Sequence, residues 1–196
     1  MKPFADSSEQ NKIPILEVIK QYFQSVKSVL EIGSGTGQHA VYFAEQCPHL
    51  TWIASDQAEY HAGIQQWIDE SAQTNLQGPL LLDVNQECWP LKETDAIFSA
   101  NTVHIMSWSS VENMFTGIGR VLHSKGVFCL YGPFNYNGQF TSESNARFDV
   151  WLKQRDPVSG VRDFEALQSL AEKAGLEFIE DIEMPANNRV LVWSKI

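Results

Sequence analysis

The stretch Val29–Ala40, VLEIGSGTGQHA, decides the fold. Val29, Leu30 and Ile32 frame an acid, Glu31, and glycines then recur at every second place: Gly33, Gly35 and Gly37. KSVLEI predicts a short buried strand and QHAVYFAEQ a helix. The glycines between them predict a sharp turn whose bare backbone can approach a ligand closely. In open α/β sheets ligands bind beyond the carboxyl ends of the strands, so this turn is a candidate binding loop. The bland alternative is a tight strand–helix connection without a ligand.

Outward from that turn the same alternation repeats. IPILEVIKQYF has helical apolar spacing, with Pro14 expected in the first turn, where its missing N–H costs nothing. LTWIASD, PLLLDV, TDAIFSAN and GVFCLYGPF predict strands; AEYHAGIQQWIDESAQ, ESNARFDVWLKQR and DFEALQSLAEKAG predict helices. Ser109 and Glu112 stand at capping-box spacing ahead of Val111, Phe115, Ile118 and Leu122, which share one helical face. Gly175 is the expected stop of the last helix and Asp163 its expected N-cap. LEFIEDIEM and RVLVWSK, joined by PANN, predict an antiparallel pair. Repeated strand–helix units imply right-handed crossovers and a mostly parallel sheet covered on both faces.

Composition narrows the function. At 196 residues, 43% hydrophobic and 19% charged, the chain suits one globular α/β domain with a substantial core. A net charge of −10 disfavours nucleic acid and anionic membranes as partners, since phosphates demand clustered Lys and Arg. No apolar run approaches the roughly 18 residues of a membrane span, and MKPFADSSEQNK lacks the apolar stretch of a secretory signal. The expectation is a cytoplasmic protein with a small-molecule partner. Cys47, Cys88 and Cys129 are isolated, and His39 and His61 show no ligand spacing, so neither disulfides nor a metal is expected.

The ligand follows from charge. A dinucleotide loop reads G-x-G-x-x-G with pyrophosphate on the helix N-terminus, whereas here Gln38 stands in the last glycine's place. Glu31 would repel a pyrophosphate and favour a cationic ligand. S-adenosylmethionine carries a sulfonium and an ammonium and no phosphate, which fits. Asp56, closing LTWIASD, can accept from two ribose hydroxyls, or act as a helix cap. Asp83, closing PLLLDV, suits an adenine amino group, or a plain turn. Asn101 ends TDAIFSAN facing the same ligand, and Ser34 lies within the loop itself.

At these residues the chain resembles the class I methyltransferases: VLEIGSGTG their first motif, IASD the ribose acid, LLLDV the adenine acid, DAIFSANTVHIM the fourth-strand motif. The resemblance implies a Rossmann-like three-layer α/β sandwich whose seven-stranded sheet is parallel except for its last strand. It also implies S-adenosylmethionine as cofactor. EQNKIPILEVI, SANTVHIMSW, YGPFNYNG and GVRDFEAL are more narrowly similar to the methyltransferase-like protein 26 family, whose N-terminal motif usually has arginine where Gln10 stands. The expected division is a helical cover over 1–26, a cofactor half over 27–132, and a substrate side with the C-terminal hairpin over 133–196.

Methyl transfer depends chiefly on alignment, with a base needed only where the acceptor must lose a proton. His104, just past the fourth strand, is the first candidate for that base, or else a structural histidine bonded to backbone. Asn11, Tyr131, Asn135, Tyr136 and Arg162 are further substrate-side candidates, Arg162 as a clamp for a carboxylate. Trp108 and Trp151 are candidates for an apolar pocket wall. The rival readings are an NAD(P)-dependent oxidoreductase and a non-catalytic module that binds S-adenosylmethionine or a partner.

Overall fold

The strand Ser28–Ile32 (β1) is buried on both faces, which explains why Val29, Leu30 and Ile32 are all apolar around Glu31. Leu30 and Ile32 point to one side of the sheet and Val29 to the other. The computed structural model describes residues 2–196, and its elements follow in chain order. After α1 (Asp6–Tyr22) and β1 come α2 (Gln38–Gln46), β2 (Thr51–Asp56), α3 (Ala58–Asp69) and β3 (Leu76–Leu81). Then come β4 (Thr94–Ala100), α4 (Trp108–Val121), β5 (Leu122–Gly132), β6 (Phe134–Asn135) and α5 (Glu143–Arg155). The chain closes with β7 (Arg162–Asp163), α6 (Phe164–Lys173), β8 (Leu176–Met184), a 3-10 turn (Pro185–Asn187) and β9 (Asn188–Lys195).

Seven strands form one sheet in the order β3-β2-β1-β4-β5-β9-β8, and β9 runs antiparallel to both its neighbours. The chain leaves β1 toward one edge and returns from β4 toward the other, so the switch point lies between their carboxyl ends. One face is packed by α4 and α6, through Phe115, Ile118 and Leu167 against Phe128 and Trp193. The other is packed by α1 and α2, through Ile15, Ile19 and Phe43 against Trp52 and Phe98. These two apolar layers confirm the three-layer sandwich.

Several boundaries differ from expectation. Helix α1 starts at Asp6, which places Pro14 in its interior and leaves the Gln10 carbonyl without its i+4 donor. Ser107, not Ser109, caps α4: its hydroxyl accepts from the Ser110 amide at 3.2 Å. Strand β3 begins three residues before Pro79 and ends before Asp83. Helix α3 stops at Asp69, short of the expected extent. Asp163 occupies the N-cap of α6 but makes no side-chain cap bond. The short parallel pair β6–β7 has too little sequence to carry a periodicity.

Candidate functional site

The three glycines of the loop all have positive φ, at 75°, 56° and 92°, yet they serve different ends. A Cβ on Gly33 would stand 2.5 Å from Thr102 Cγ2, so this glycine lets β1 and the segment after β4 close against each other. A Cβ on Gly37 would meet the α3 backbone at Ile64, 3.2 Å away. Gly35 alone faces open space, with nothing within 4 Å of its Cβ position. Its amide donates to Asp56 Oδ2 at 2.7 Å, and the Ser34 hydroxyl accepts from the Ser55 amide at 3.1 Å. The loop is thus fastened to the end of β2. The other Asp56 oxygen accepts from the Gln57 amide at 2.7 Å, and burial pushes this carboxyl above its ordinary range.

Glu31 lies 2% exposed inside β1, with Trp52 Nε1 donating to it at 2.9 Å. Burial pushes it up to about 7. No lysine, arginine or histidine pairs with it among the described residues. Asp83 follows the end of β3, where Oδ1 accepts from the Asn85 amide and side chain at 2.9 and 3.1 Å, a turn role. Asn101 follows β4 directly with φ 58°, its amide donating to the Tyr131 carbonyl at 2.9 Å.

A cavity of about 740 Å³ lies between α1, α5, the carboxyl ends of β4 and β5, and the 3-10 turn, on the β4 side of the switch point. Asn11, Asn101, His104 and Tyr131 all reach its wall. His104 is 4% exposed and packs edge-on to Phe148, ring centroids 5.3 Å apart. Its Nδ1 is sealed without a partner near Gly132, which leaves Nε2 as the ring nitrogen accessible from the cavity. Burial, with Arg162 nearby, pushes His104 down to about 4, so the ring is neutral at physiological pH. Asn11 Oδ1 is engaged by His39 Nε2 at 2.7 Å, which joins α1 to α2.

Three expected substrate-side residues turn elsewhere. Arg162 donates to the carbonyls of Val103, Met106 and Val158, so its fork organises the segment carrying His104 and is not a free clamp. Gly160 supports the same segment, donating to the His104 carbonyl at 2.9 Å. Tyr136 donates to Asp181 at 2.6 Å and stacks on Phe164, away from the cavity. Asn135 is buried on β6, its Oδ1 unpartnered like the Oδ1 of Asp163 opposite. Trp108 lies beside Arg162, whereas Trp151 lines the cavity. Phe148 and Arg155 were not anticipated; the i, i+3, i+4 spacing of Phe148, Trp151 and Leu152 was the available signal. No group of three or more His, Cys, Asp or Glu is placed to hold a metal among the described residues, and none of their helices is long and apolar enough to cross a membrane.

The buried carboxyl yields a stability prediction. With Glu31 near 7 in the folded chain and about 4.5 unfolded, the folded state binds more protons between these values. Its contribution is present below about 4.5 and is lost as pH rises through about 7. Glu31→Gln removes that loss while keeping an acceptor for Trp52. Thermal melts at pH 5 and pH 8 should show the variant gaining on wild type at the higher pH, by at most ~3 kcal/mol. A pH-independent difference would refute the assignment.

A doubly wound sheet with a glycine loop at its switch point and a polar–aromatic cavity one strand away defines a Rossmann-like α/β domain. The chain belongs to the family described as "Protein of unknown function (DUF938)", which matches residues 2–195. Its fold is similar to that of the S-adenosylmethionine-dependent methyltransferase SibL, with TM-score 0.81, 18% identity, and coverage of 96% of this chain and 55% of that one. An O-methyltransferase family protein from Burkholderia thailandensis superposes at TM-score 0.83 with 12% identity, covering 97% and 57%. Mitomycin 7-O-methyltransferase MmcR does so at 0.83 and 12%, covering 97% and 54%. The chain therefore spans little more than half the length of these solved structures.

Proposed function

We propose that this domain transfers a methyl group from S-adenosylmethionine to a small-molecule acceptor seated in the cavity. The observation that carries the reading is the open glycine loop, fixed by Asp56, one strand away from a cavity that His104 reaches. The solved neighbours named as methyltransferases support it through their fold.

The residues present fit that cofactor. Gly35 leaves space at the backbone, and Asp56, Asp83 and Asn101 lie at the carboxyl ends of β2, β3 and β4, where the acids would accept from the ribose and the adenine. Glu31 is a buried carboxyl without a cation, and a positive charge arriving nearby favours its ionised form. A dinucleotide fits less well. Gln38 accepts from the Ala5 amide at 2.6 Å, so the entry of α1 covers the α2 terminus where a pyrophosphate would rest. Similarity of the N-terminal and post-β4 segments to the methyltransferase-like protein 26 family supports the same chemistry. The charge of −10 supports a small molecule over nucleic acid.

The cofactor supplies an electrophilic methyl on a sulfonium. The chain's own part is to hold an acceptor between α1 and α5, exclude water, and take a proton at His104 Nε2. In the tautomer with its proton on the sealed Nδ1, that nitrogen presents a lone pair to the cavity.

Calorimetric titration with S-adenosylmethionine, S-adenosylhomocysteine, NAD and NADP tests the reading. Selective binding of the two sulfur nucleosides, at about micromolar Kd, is expected. Preference for a dinucleotide would overturn it and leave the fold standing.

A further inference from the structure

The cavity wall has a charge character opposite to that of the whole chain. Of 196 residues, 24 are Asp or Glu and 14 are Lys or Arg, yet among the described residues no carboxylate lines the cavity. Its one charged side chain is Arg155, at the end of α5. The Arg155 guanidinium is held 4.7 Å over the Trp151 ring and has no acidic partner among the described residues. Behind the wall Arg162 adds a second positive charge, its fork spent on backbone carbonyls and partly offset by the buried Asp149.

The apolar part of the wall is flat. Phe148 and Trp151 stack with ring centroids 5.7 Å apart and planes 18° from parallel. Trp151 and Ile105 are 47% and 52% exposed and line the cavity, so its wall offers apolar surface to a ligand.

We infer that the cavity takes a flat anionic acceptor, an aromatic carboxylate that also carries the hydroxyl to be methylated. The aromatic plane lies along Phe148 and Trp151, the carboxylate meets Arg155 at the mouth, and the hydroxyl points inward to His104. This deepens the methyl-transfer reading above and rests on it. In the step, His104 Nε2 takes the phenolic proton and an oxygen pair forms the new O–CH3 bond. The S–CH3 bond breaks with its pair staying on sulfur, which leaves a neutral thioether. Burial first, and the Arg162 charge second, hold His104 below its ordinary range; a carboxylate in the cavity offsets the second of these and so raises the affinity of the base for a proton.

The test uses three matched phenols: 4-hydroxyphenylpropanoate, 4-propylphenol and 4-(3-aminopropyl)phenol. Each is titrated into the full chain without cofactor, and S-adenosylmethionine is titrated separately. The anion should bind about five-fold tighter than the amine, as expected for a partly exposed ion pair. Arg155→Gln should bring the three within about two-fold of one another. Equal or tighter binding of the amine to wild type, or an anion preference that survives Arg155→Gln, overturns the inference. Anion preference together with no binding of S-adenosylmethionine supports the acceptor class and refutes methyl transfer. Cofactor binding without anion preference does the reverse.

Discussion

Gly35→Val should weaken binding of S-adenosylmethionine by up to about 100-fold while the protein still folds. The open space at this position is the room a ligand would use, since beyond the two adjoining residues no described atom lies within 4 Å of the added Cβ. Two effects separate cleanly. Holding a non-glycine residue at φ 56° costs the fold ~1–2 kcal/mol, and the melting temperature should fall by roughly 2–4 °C per kcal/mol. Forcing branched carbons into the ligand's space costs affinity up to ~3 kcal/mol, about 100-fold. Calorimetry reads the second effect and a circular-dichroism melt the first. Unchanged affinity would remove the ligand from this loop. Gly33 and Gly37 could not serve as such a probe, because their Cβ positions are filled by the protein itself.

His104→Gln should lower the rate of methyl transfer to a phenolic acceptor by roughly 10²- to 10⁴-fold, the usual contribution of a placed base, and leave cofactor affinity unchanged. The side chain reaches the cavity but makes no contact with the glycine loop in the hydrogen-bonding pattern. Because the ring is held near 4 in the empty cavity, the acid limb of kcat/KM should fall well below the 6.5 of an ordinary histidine. Single-turnover rates across pH distinguish this role from a packing one. A structural histidine would give a variant with altered melting and an undisturbed pH profile. A near-wild-type rate for His104→Gln would assign catalysis to alignment alone.

How much of this was legible in the sequence depended on range. Helices α2 and α5 and the β8–β9 pair match their predicted spans because capping, turn and periodicity signals all lie within a few residues of one another. Pro14 was misplaced since a first-turn proline is the common case, and only docking of Lys2–Ala5 on α2 and α3 shows that the helix starts earlier. Arg162 has the same fork whether it clamps a substrate or three carbonyls, and only the fold brings Val103, Met106 and Val158 within its reach. Tyr136 likewise meets an Asp181 that lies 45 residues further on. His104 and Tyr131 were legible because residues just beyond strand ends in such sheets converge on one place. The charge reversal of the cavity wall was not legible, because it arises from which side chains face inward.

The reversed strand has a consequence for how such a pocket can diversify. Because β9 runs against β5, its first residues lie beside the last residues of β5, with Arg189 opposite Gly132. The turn Pro185–Asn187 therefore joins the cavity wall, and a parallel final strand would have carried it to the far end of the sheet. Its hydrogen bonds to α5 among the described residues are two: the Asn145 side chain donates to the Asn187 carbonyl at 3.0 Å, and the Asn187 side chain donates to the Ser144 hydroxyl. Lengthening that hairpin tip moves no register in the sheet. Ligand choice can thus drift by insertion at one exposed corner while the cofactor end of the domain stays as it is.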